Sequence, residues 1–128
     1  MKFQMTEHGF STRFTYGELE VSGDEDYGFR PFQLFAAAVS ACVGGVLRLI
    51  LIKMKLSFED ITIDVDVTRS KSGVSKIVGL HFHFEVKSSG ITDQQFKKAI
   101  STCKKNCSML QSINESISIT ETFTISRE

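Results

Sequence analysis

The sequence of 128 residues contains no tryptophan, one proline and only three cysteines. Three cysteines are an odd number and too few for a disulfide-stabilised small domain, so they favour a reducing compartment. A charge excess is also missing, because 15 Lys and Arg balance 15 Asp and Glu. This balance argues against a nucleic-acid-binding module, which normally carries a basic excess. The hydrophobic content of 41% is that of a globular chain and excludes disorder throughout.

Targeting and cofactor-binding motifs are also missing from the sequence. The N-terminus lacks the apolar run of a signal peptide, and no phosphate-binding loop or dinucleotide-binding glycine motif occurs. The one candidate for a membrane span, the uncharged residues 32–47, is shorter than the roughly 18 to 20 residues that span a bilayer. We therefore expect a single soluble, cytoplasmic domain over residues 1–128, with no cofactor, no membrane and no nucleic-acid partner.

The central segment, residues 31–55, predicts a helix that is apolar on nearly every side. Such a helix must be covered all round, and a second copy of the chain is the natural cover. Pro31 suits the first helical turn, because its fixed φ and missing N–H cost nothing there. Gly44 and Gly45 weaken the helix and suggest a close approach by another backbone or a substrate.

The remaining elements follow from alternation and capping. Residues 61–68 and 78–87 alternate between apolar and polar side chains, which predicts an antiparallel hairpin. A second helix begins after Thr92, which forms a capping box with Gln95, and a last strand covers residues 117–125. With the early strands, the order β-β-β-α-β-β-α-β predicts an α+β fold with helices on an antiparallel sheet.

Two cysteines are candidates for chemistry, and each has a structural alternative. Considered by itself, Cys42 is interpreted as a small buried apolar side chain, and the alternative is a reactive thiol. Cys107 stands where a further short helix can begin, and a helix start would stabilise its thiolate and lower its pKa. However, Cys103 and Cys107 also fit the core stripe of one amphipathic helix.

A zinc site is a weaker alternative. His81 and His83 share one strand face, and Cys103 and Cys107 are one helical turn apart, which together offers four ligands. Strand alternation, however, places both histidines opposite the face that the helix covers. We therefore expect no metal site, and we interpret both histidines as solvated strand residues.

The segment RPFQLFAAAVSAC, residues 30–42, resembles the helix of the OsmC/Ohr family, the osmotically inducible and organic-hydroperoxide-resistance proteins. In that family a P-x-(E/Q)-L-type start leads through small residues to a cysteine. The segment CSML, residues 107–110, resembles the second family motif, and the element order matches over essentially the whole chain. The resemblance implies an OsmC-like α+β fold with a long buried central helix, a second helix and an intertwined homodimer.

The resemblance also implies a thiol peroxidase that reduces organic hydroperoxides in oxidative-stress defence. By position, Cys42 would attack the peroxide and become a sulfenic acid, and Cys107 would resolve it to a disulfide. An external dithiol would then reduce the disulfide. The alternative is a non-catalytic OsmC-like dimer that binds a small apolar ligand in the interface pocket.

The sequence departs from the family at the start of the helix. Characterised members carry a glutamate there, paired with an arginine that activates the thiolate, whereas this chain has Phe32 and Gln33. A dry position within a helix raises a thiol pKa, so a reactive cysteine needs a nearby positive group. Arg30 and Arg13 are the candidates. This departure from the family therefore implies weaker or altered peroxidase activity. Cys103 has no counterpart in the family.

Overall fold

The computed structural model describes residues 1–127. By their internal contacts the elements form two units, Met1–Ala37 and Ala38–Glu128. The predicted order of elements is confirmed, including the further short helix after Cys107. The elements are β1 (Gln4–Met5), β2 (Phe10–Arg13), β3 (Glu18–Val21), α1 (Pro31–Lys53), β4 (Asp60–Arg69), β5 (Ile77–Lys87), α2 (Asp93–Asn106), α3 (Ser108–Ile113) and β6 (Ser118–Ser126).

The first unit contains the antiparallel sheet β1-β2-β3. Its turns are tight: the amide of Phe14 donates to Gly17 O at 2.9 Å, between β2 and β3. The sheet does not cover its own apolar side chains, since Met5 is 69% exposed and Phe10 50% exposed. Thr12 is buried instead, and its hydroxyl donates to Lys2 O at 2.7 Å. The early strands are thus confirmed, but their apolar residues form no core of their own.

The second unit contains the sheet β4-β5-β6. Strands β4 and β5 pair antiparallel, from Asp60 opposite Lys87 to Val67 opposite Leu80, as predicted. Strand β6 pairs with β5 in parallel, so the prediction of an antiparallel sheet is wrong for this pair. The reason lies in the connection, because α2 and α3 carry the chain back to the end of the sheet where β5 begins.

The core of the second unit lies between this sheet and the helices. The inner face of β5 is buried, and Phe84 contacts Phe96 of α2 with ring centroids 6.4 Å apart. The ring of Phe96 also lies 5.1 Å from that of Phe123 on β6. The predicted capping box fixes the start of α2: the amide of Gln95 donates to Thr92 Oγ1, and the amide of Thr92 donates to Gln95 Oε1.

Helix α1 is covered on one side in the single chain. A stripe of residues four apart is buried, whereas Leu49 is 57% exposed and Ile52 is 51% exposed. Among residues 1–127, α1 is the one helix long and apolar enough to cross a membrane by length and composition, a test that core helices of soluble proteins also pass. The predicted cover by a second copy stays a prediction. The buried stripe consists of Val39, Val43, Leu47 and Leu51.

The two glycines of α1 have different surroundings. A Cβ added at Gly44 would lie 3.0 Å from Cδ1 of Ile63 on β4, so the close approach is made by a side chain and not by the backbone or substrate that was predicted. At Gly45 an added Cβ would meet nothing within 4 Å. Gly44 therefore lets β4 pack closely against the helix, whereas Gly45 faces open space in the single chain.

Alanine substitutions at these two positions should have different effects on stability. An exposed helical glycine costs up to about 1 kcal/mol relative to alanine, so Gly45→Ala should raise the free energy of unfolding. Gly44→Ala should gain less or lose stability, because Ile63 must move aside. Urea unfolding at one fixed protein concentration measures both variants. A larger loss for Gly45→Ala than for Gly44→Ala would contradict the single-chain packing.

Candidate active site

The second unit brings two of the predicted site residues into contact. Cys42 on α1 and Cys107 at the junction of α2 and α3 have their Sγ atoms 3.2 Å apart, and the Cys107 thiol donates to Cys42. All three cysteines are free thiols. The two sulfurs are only about 1 Å further apart than in a disulfide, so a small shift would join them.

Backbone hydrogen bonds at both helix ends fix the position of Cys107. Its amide donates to Cys103 O at 2.9 Å and so closes α2, while its carbonyl accepts from the amide of Gln111 at 3.0 Å and so opens α3. The residue is extended, with φ −85° and ψ 111°, and its side chain is fully buried. The further short helix expected after Cys107 is therefore confirmed, and it begins at Ser108.

Hydrogen bonds lower the pKa of Cys42 below the usual thiol value. The thiol of Cys107 makes the largest contribution, followed by the backbone amide of Met109, and the Ser108 hydroxyl adds a smaller one. Burial acts in the opposite direction but is outweighed, because Cys42 is only partly buried. Neutral donors from the first turn of α3 thus favour the Cys42 thiolate.

The pKa of the Cys107 thiol, in contrast, is raised above the usual thiol value. Burial raises the pKa of Cys107, and the backbone amide of Leu110 compensates only in part. The predicted lowering of this pKa by the helix start is therefore wrong, since the cost of a charge at a fully buried sulfur is larger. Of the two thiols, Cys42 is therefore the one that loses its proton more readily.

Cys103 lies in the core and takes no part in this pair. Its thiol donates to the carbonyl of Val43 on α1 at 3.4 Å, and only 2% of its surface is exposed. Burial raises the pKa of Cys103 to about 12, so it is a thiol at neutral pH. Cys103 and Cys107 are both buried, as a core stripe requires, but the expectation that they share one helix is wrong, because α2 ends at Asn106 and Cys107 is extended.

The two candidate arginines belong to the first unit. Arg13 Nη1 lies 3.8 Å from Glu18 Oε2, and both side chains are more than half exposed, so this ion pair is weak. The guanidinium of Arg30 lies over the ring of Phe32, 4.8 Å from its centroid, which is a cation–π contact. Phe32 thus gives Arg30 a partner at the start of α1, whose first turn contains no carboxylate. An activating role for either arginine stays a prediction.

The histidines lie on the outward face of the sheet, bound to threonine hydroxyls. His81 Nδ1 and Nε2 lie 2.7 and 3.1 Å from the hydroxyls of Thr120 and Thr122, and His83 Nδ1 and Nε2 lie 2.7 and 3.3 Å from those of Thr122 and Thr124. The two buried cysteines of the zinc alternative lie on the helix side. Within residues 1–127 no three His, Cys, Asp or Glu side chains are grouped to hold a metal.

Sequence reasoning identified both cysteines but missed Ser108 and Met109, which donate to Cys42. The signal was available, because both residues directly follow a cysteine at a predicted helix start. Their effect on Cys42 rather than on Cys107 depends on the contact between α1 and α3, and no local pattern encodes that contact.

Comparisons with known proteins place the chain among related folds. The family model described as OsmC-like protein matches residues 23–122. Solved structures that match include a protein of Aquifex aeolicus (17% identity, TM-score 0.87, covering 99% of this chain and 95% of that one). An OsmC-like protein of Mycoplasma pneumoniae matches at 14% identity and TM-score 0.87, covering 98% of this chain and 95% of that one. An organic hydroperoxide resistance protein of Legionella pneumophila matches at 19% identity and TM-score 0.73, covering 98% of this chain and 94% of that one. No curated protein matches the chain in sequence.

Alkylation should distinguish the three thiols. At neutral pH iodoacetamide should modify Cys42 first, because its lowered pKa gives it the largest thiolate fraction, and Cys103 last, because its pKa is raised to about 12. The rate at Cys42 should level off at a lower pH than for an ordinary thiol. Peptide mapping by mass spectrometry over a pH series measures each rate.

Two serine variants provide the matched comparison. Ser108→Ala removes one donor to Cys42 and should shift its pH profile upward. Ser112→Ala should leave the profile in place, since the Ser112 hydroxyl donates to Ser108 O on the same helix. Faster modification of Cys107 or Cys103 than of Cys42 would contradict the assignment of the charge.

Proposed function

The chain belongs to the OsmC-like protein family, and from its cysteine pair we propose that it is a thiol peroxidase that reduces organic hydroperoxides. The observation that carries this proposal is the 3.2 Å contact between Cys42 and Cys107, with the lowered pKa on the more accessible sulfur. The Legionella pneumophila protein of similar fold is named an organic hydroperoxide resistance protein. Both the family and these neighbours indicate a function related to peroxide stress.

In the first step Cys42 attacks the hydroperoxide. The thiolate sulfur forms a bond to one peroxide oxygen, the O–O bond breaks, and the alkoxide leaves and takes a proton to become an alcohol. Cys42 is then a sulfenic acid, oxidised by two electrons, and the peroxide is reduced by two. In this proposal the proton comes from the Cys107 thiol, whose sulfur lies 3.2 Å from that of Cys42.

In the second step Cys107 resolves the sulfenic acid. Cys107, having supplied its proton in the first step, is a thiolate in contact with Cys42, and its sulfur attacks the Cys42 sulfur. The S–O bond breaks and releases hydroxide, which solvent protonates to water. The product is a disulfide within one chain. An external dithiol reduces it by two exchange reactions and restores both thiols.

Activation of Cys42 in this proposal combines neutral donors with one cation. The hydrogen bonds from Cys107, Met109 and Ser108 favour the thiolate without a carboxylate at the helix start. We retain Arg30 as the proposed cationic residue, and its contact with Phe32 replaces the ion pair of other family members. Because a ring face holds a guanidinium less firmly than a carboxylate does, we expect slower turnover than in those members.

We propose that the protein is a cytoplasmic homodimer with its active sites at the subunit interface. Members of this family are typically dimeric. The exposed side chains Leu49 and Ile52 on α1, and Phe10 in the first unit, provide apolar surface that a second copy would cover. An interface of this kind buries roughly 2,000 Å² or more.

Peroxide treatment tests the proposed chemistry directly. One equivalent of tert-butyl hydroperoxide should produce a disulfide between Cys42 and Cys107, because their sulfurs already touch. In Cys107→Ser, Cys42 should be found as sulfenic or sulfinic acid. In Cys42→Ser, peroxide consumption with dithiothreitol should fall to background. Mass spectrometry and a peroxide assay provide the measurements.

Two further variants serve as controls for this experiment. Cys103→Ser should still form the disulfide, because the Cys103 thiol donates to Val43 O and not to either sulfur of the pair. Arg30→Gln should slow consumption, because the proposal assigns this cation to the activation of Cys42. An unmodified Cys42 at a large excess of peroxide would reject the peroxidase. It would leave the non-catalytic dimer that binds a small apolar ligand as the better account.

Sedimentation tests the dimer. The protein should sediment at twice the mass of the 14.3 kDa chain at micromolar concentration. Leu49→Glu should shift it toward the monomer, because the charge enters the proposed interface. Val74→Glu is the control, since Val74 is 89% exposed in the loop between β4 and β5 and should leave the dimer intact. A stable, folded monomer of the unmodified protein would exclude this assembly.

A further inference from the structure

A groove in the second unit lies between α2, α3 and β6, and neither Cys42 nor Cys107 lines it. Its volume is about 580 Å³, within the range of small-molecule sites in proteins. Four apolar side chains contribute to its lining: Ile100, Leu110, Ile119 and Phe123. These residues give the groove an apolar surface suited to an aliphatic chain.

The other part of the lining carries mainly positive charge. Lys97, Lys104 and Lys105 of α2 line the groove, with Glu121 as its one carboxylate. Lys97 and Lys105 are exposed and make no ion pair with any residue from 1 to 127. The groove therefore combines an apolar surface with an excess of ammonium groups, which favours an anion over a neutral molecule or a cation.

Glu121 holds one of these lysines in place. It lies on the apolar face of β6 between Ile119 and Phe123, and its Oε1 accepts from Lys104 Nζ at 3.2 Å. Its Oε2 is buried and makes no hydrogen bond. A carboxylate on that face is costly unless it is paired, so the contact orients the Lys104 ammonium within the groove. An ammonium has three N–H donors, and Glu121 uses one of them.

We propose that this groove binds an anionic amphiphile of the alkyl carboxylate class. The alkyl chain lies on the apolar side chains, and the carboxylate accepts hydrogen bonds from Lys104 and from the exposed lysines. A second copy of the chain is a poorer occupant, because three ammonium groups and a carboxylate would have to be desolvated against its apolar surface. The proposal goes beyond the thiol chemistry, since it requires neither cysteine of the pair.

Three probes with the same tail and different heads test the ligand class. Decanoate, decanol and decyltrimethylammonium share the apolar contact, so only the head group separates them. By isothermal titration calorimetry of the whole protein, decanoate should bind most tightly, decanol less tightly and the ammonium least. Added salt should weaken decanoate binding and leave decanol binding nearly unchanged. Equal affinity for the three probes would overturn the proposal.

Charge variants test the site. Lys97→Gln and Lys105→Gln should each weaken decanoate binding about two- to five-fold, as expected for exposed charge pairs. Glu121→Gln should strengthen it, because the variant removes repulsion and can still accept from Lys104. Lys98→Gln is the matched control: Lys98 lies on the same helix but outside the groove lining, and should have no effect.

The outcomes separate this proposal from the peroxidase. Cys42→Ser should bind decanoate as tightly as the unmodified protein, so a failed peroxide assay would not affect the result. An equal loss of affinity in Lys98→Gln and Lys97→Gln would reject the groove as the site. Absence of any decanoate binding would overturn the proposal.

Discussion

The contact between two thiols on separate helices is the interaction on which the candidate site depends. Cys42 belongs to α1 and Cys107 to the junction of α2 and α3, and their sulfurs meet at 3.2 Å. The contact requires α1 to bury its stripe of valines and leucines in the second unit, and it requires α2 to end at Asn106. The packing of the helices on the sheet thus sets the geometry of the thiol pair.

The asymmetry of the pair follows from burial. Burial raises the pKa of Cys107, while hydrogen bonds from Cys107 and from the first turn of α3 lower the pKa of the partly buried Cys42. Two similar thiols therefore acquire different roles from their surroundings.

The segment between β5 and β6 links the thiol site to the groove. Helix α2 presents Cys103 to α1 on one side and lysines to the groove on another, and α3 contributes donors to Cys42 as well as Leu110 to the groove. The same crossover makes β6 parallel to β5. One connection therefore determines the sheet topology, the position of Cys107 and the shape of the groove.

The sequence by itself determined the local elements, because their signals lie within a few residues: the capping box of Thr92 and Gln95, the alternation of β4 and β5, and the helical run after Pro31. It also singled out both cysteines. Only the tertiary structure decided the direction of β6, since alternation is the same in parallel and antiparallel pairs. The tertiary structure likewise decided which of the two thiols has the lower pKa. The burial of each sulfur and the hydrogen bonds it accepts come from residues distant in the chain.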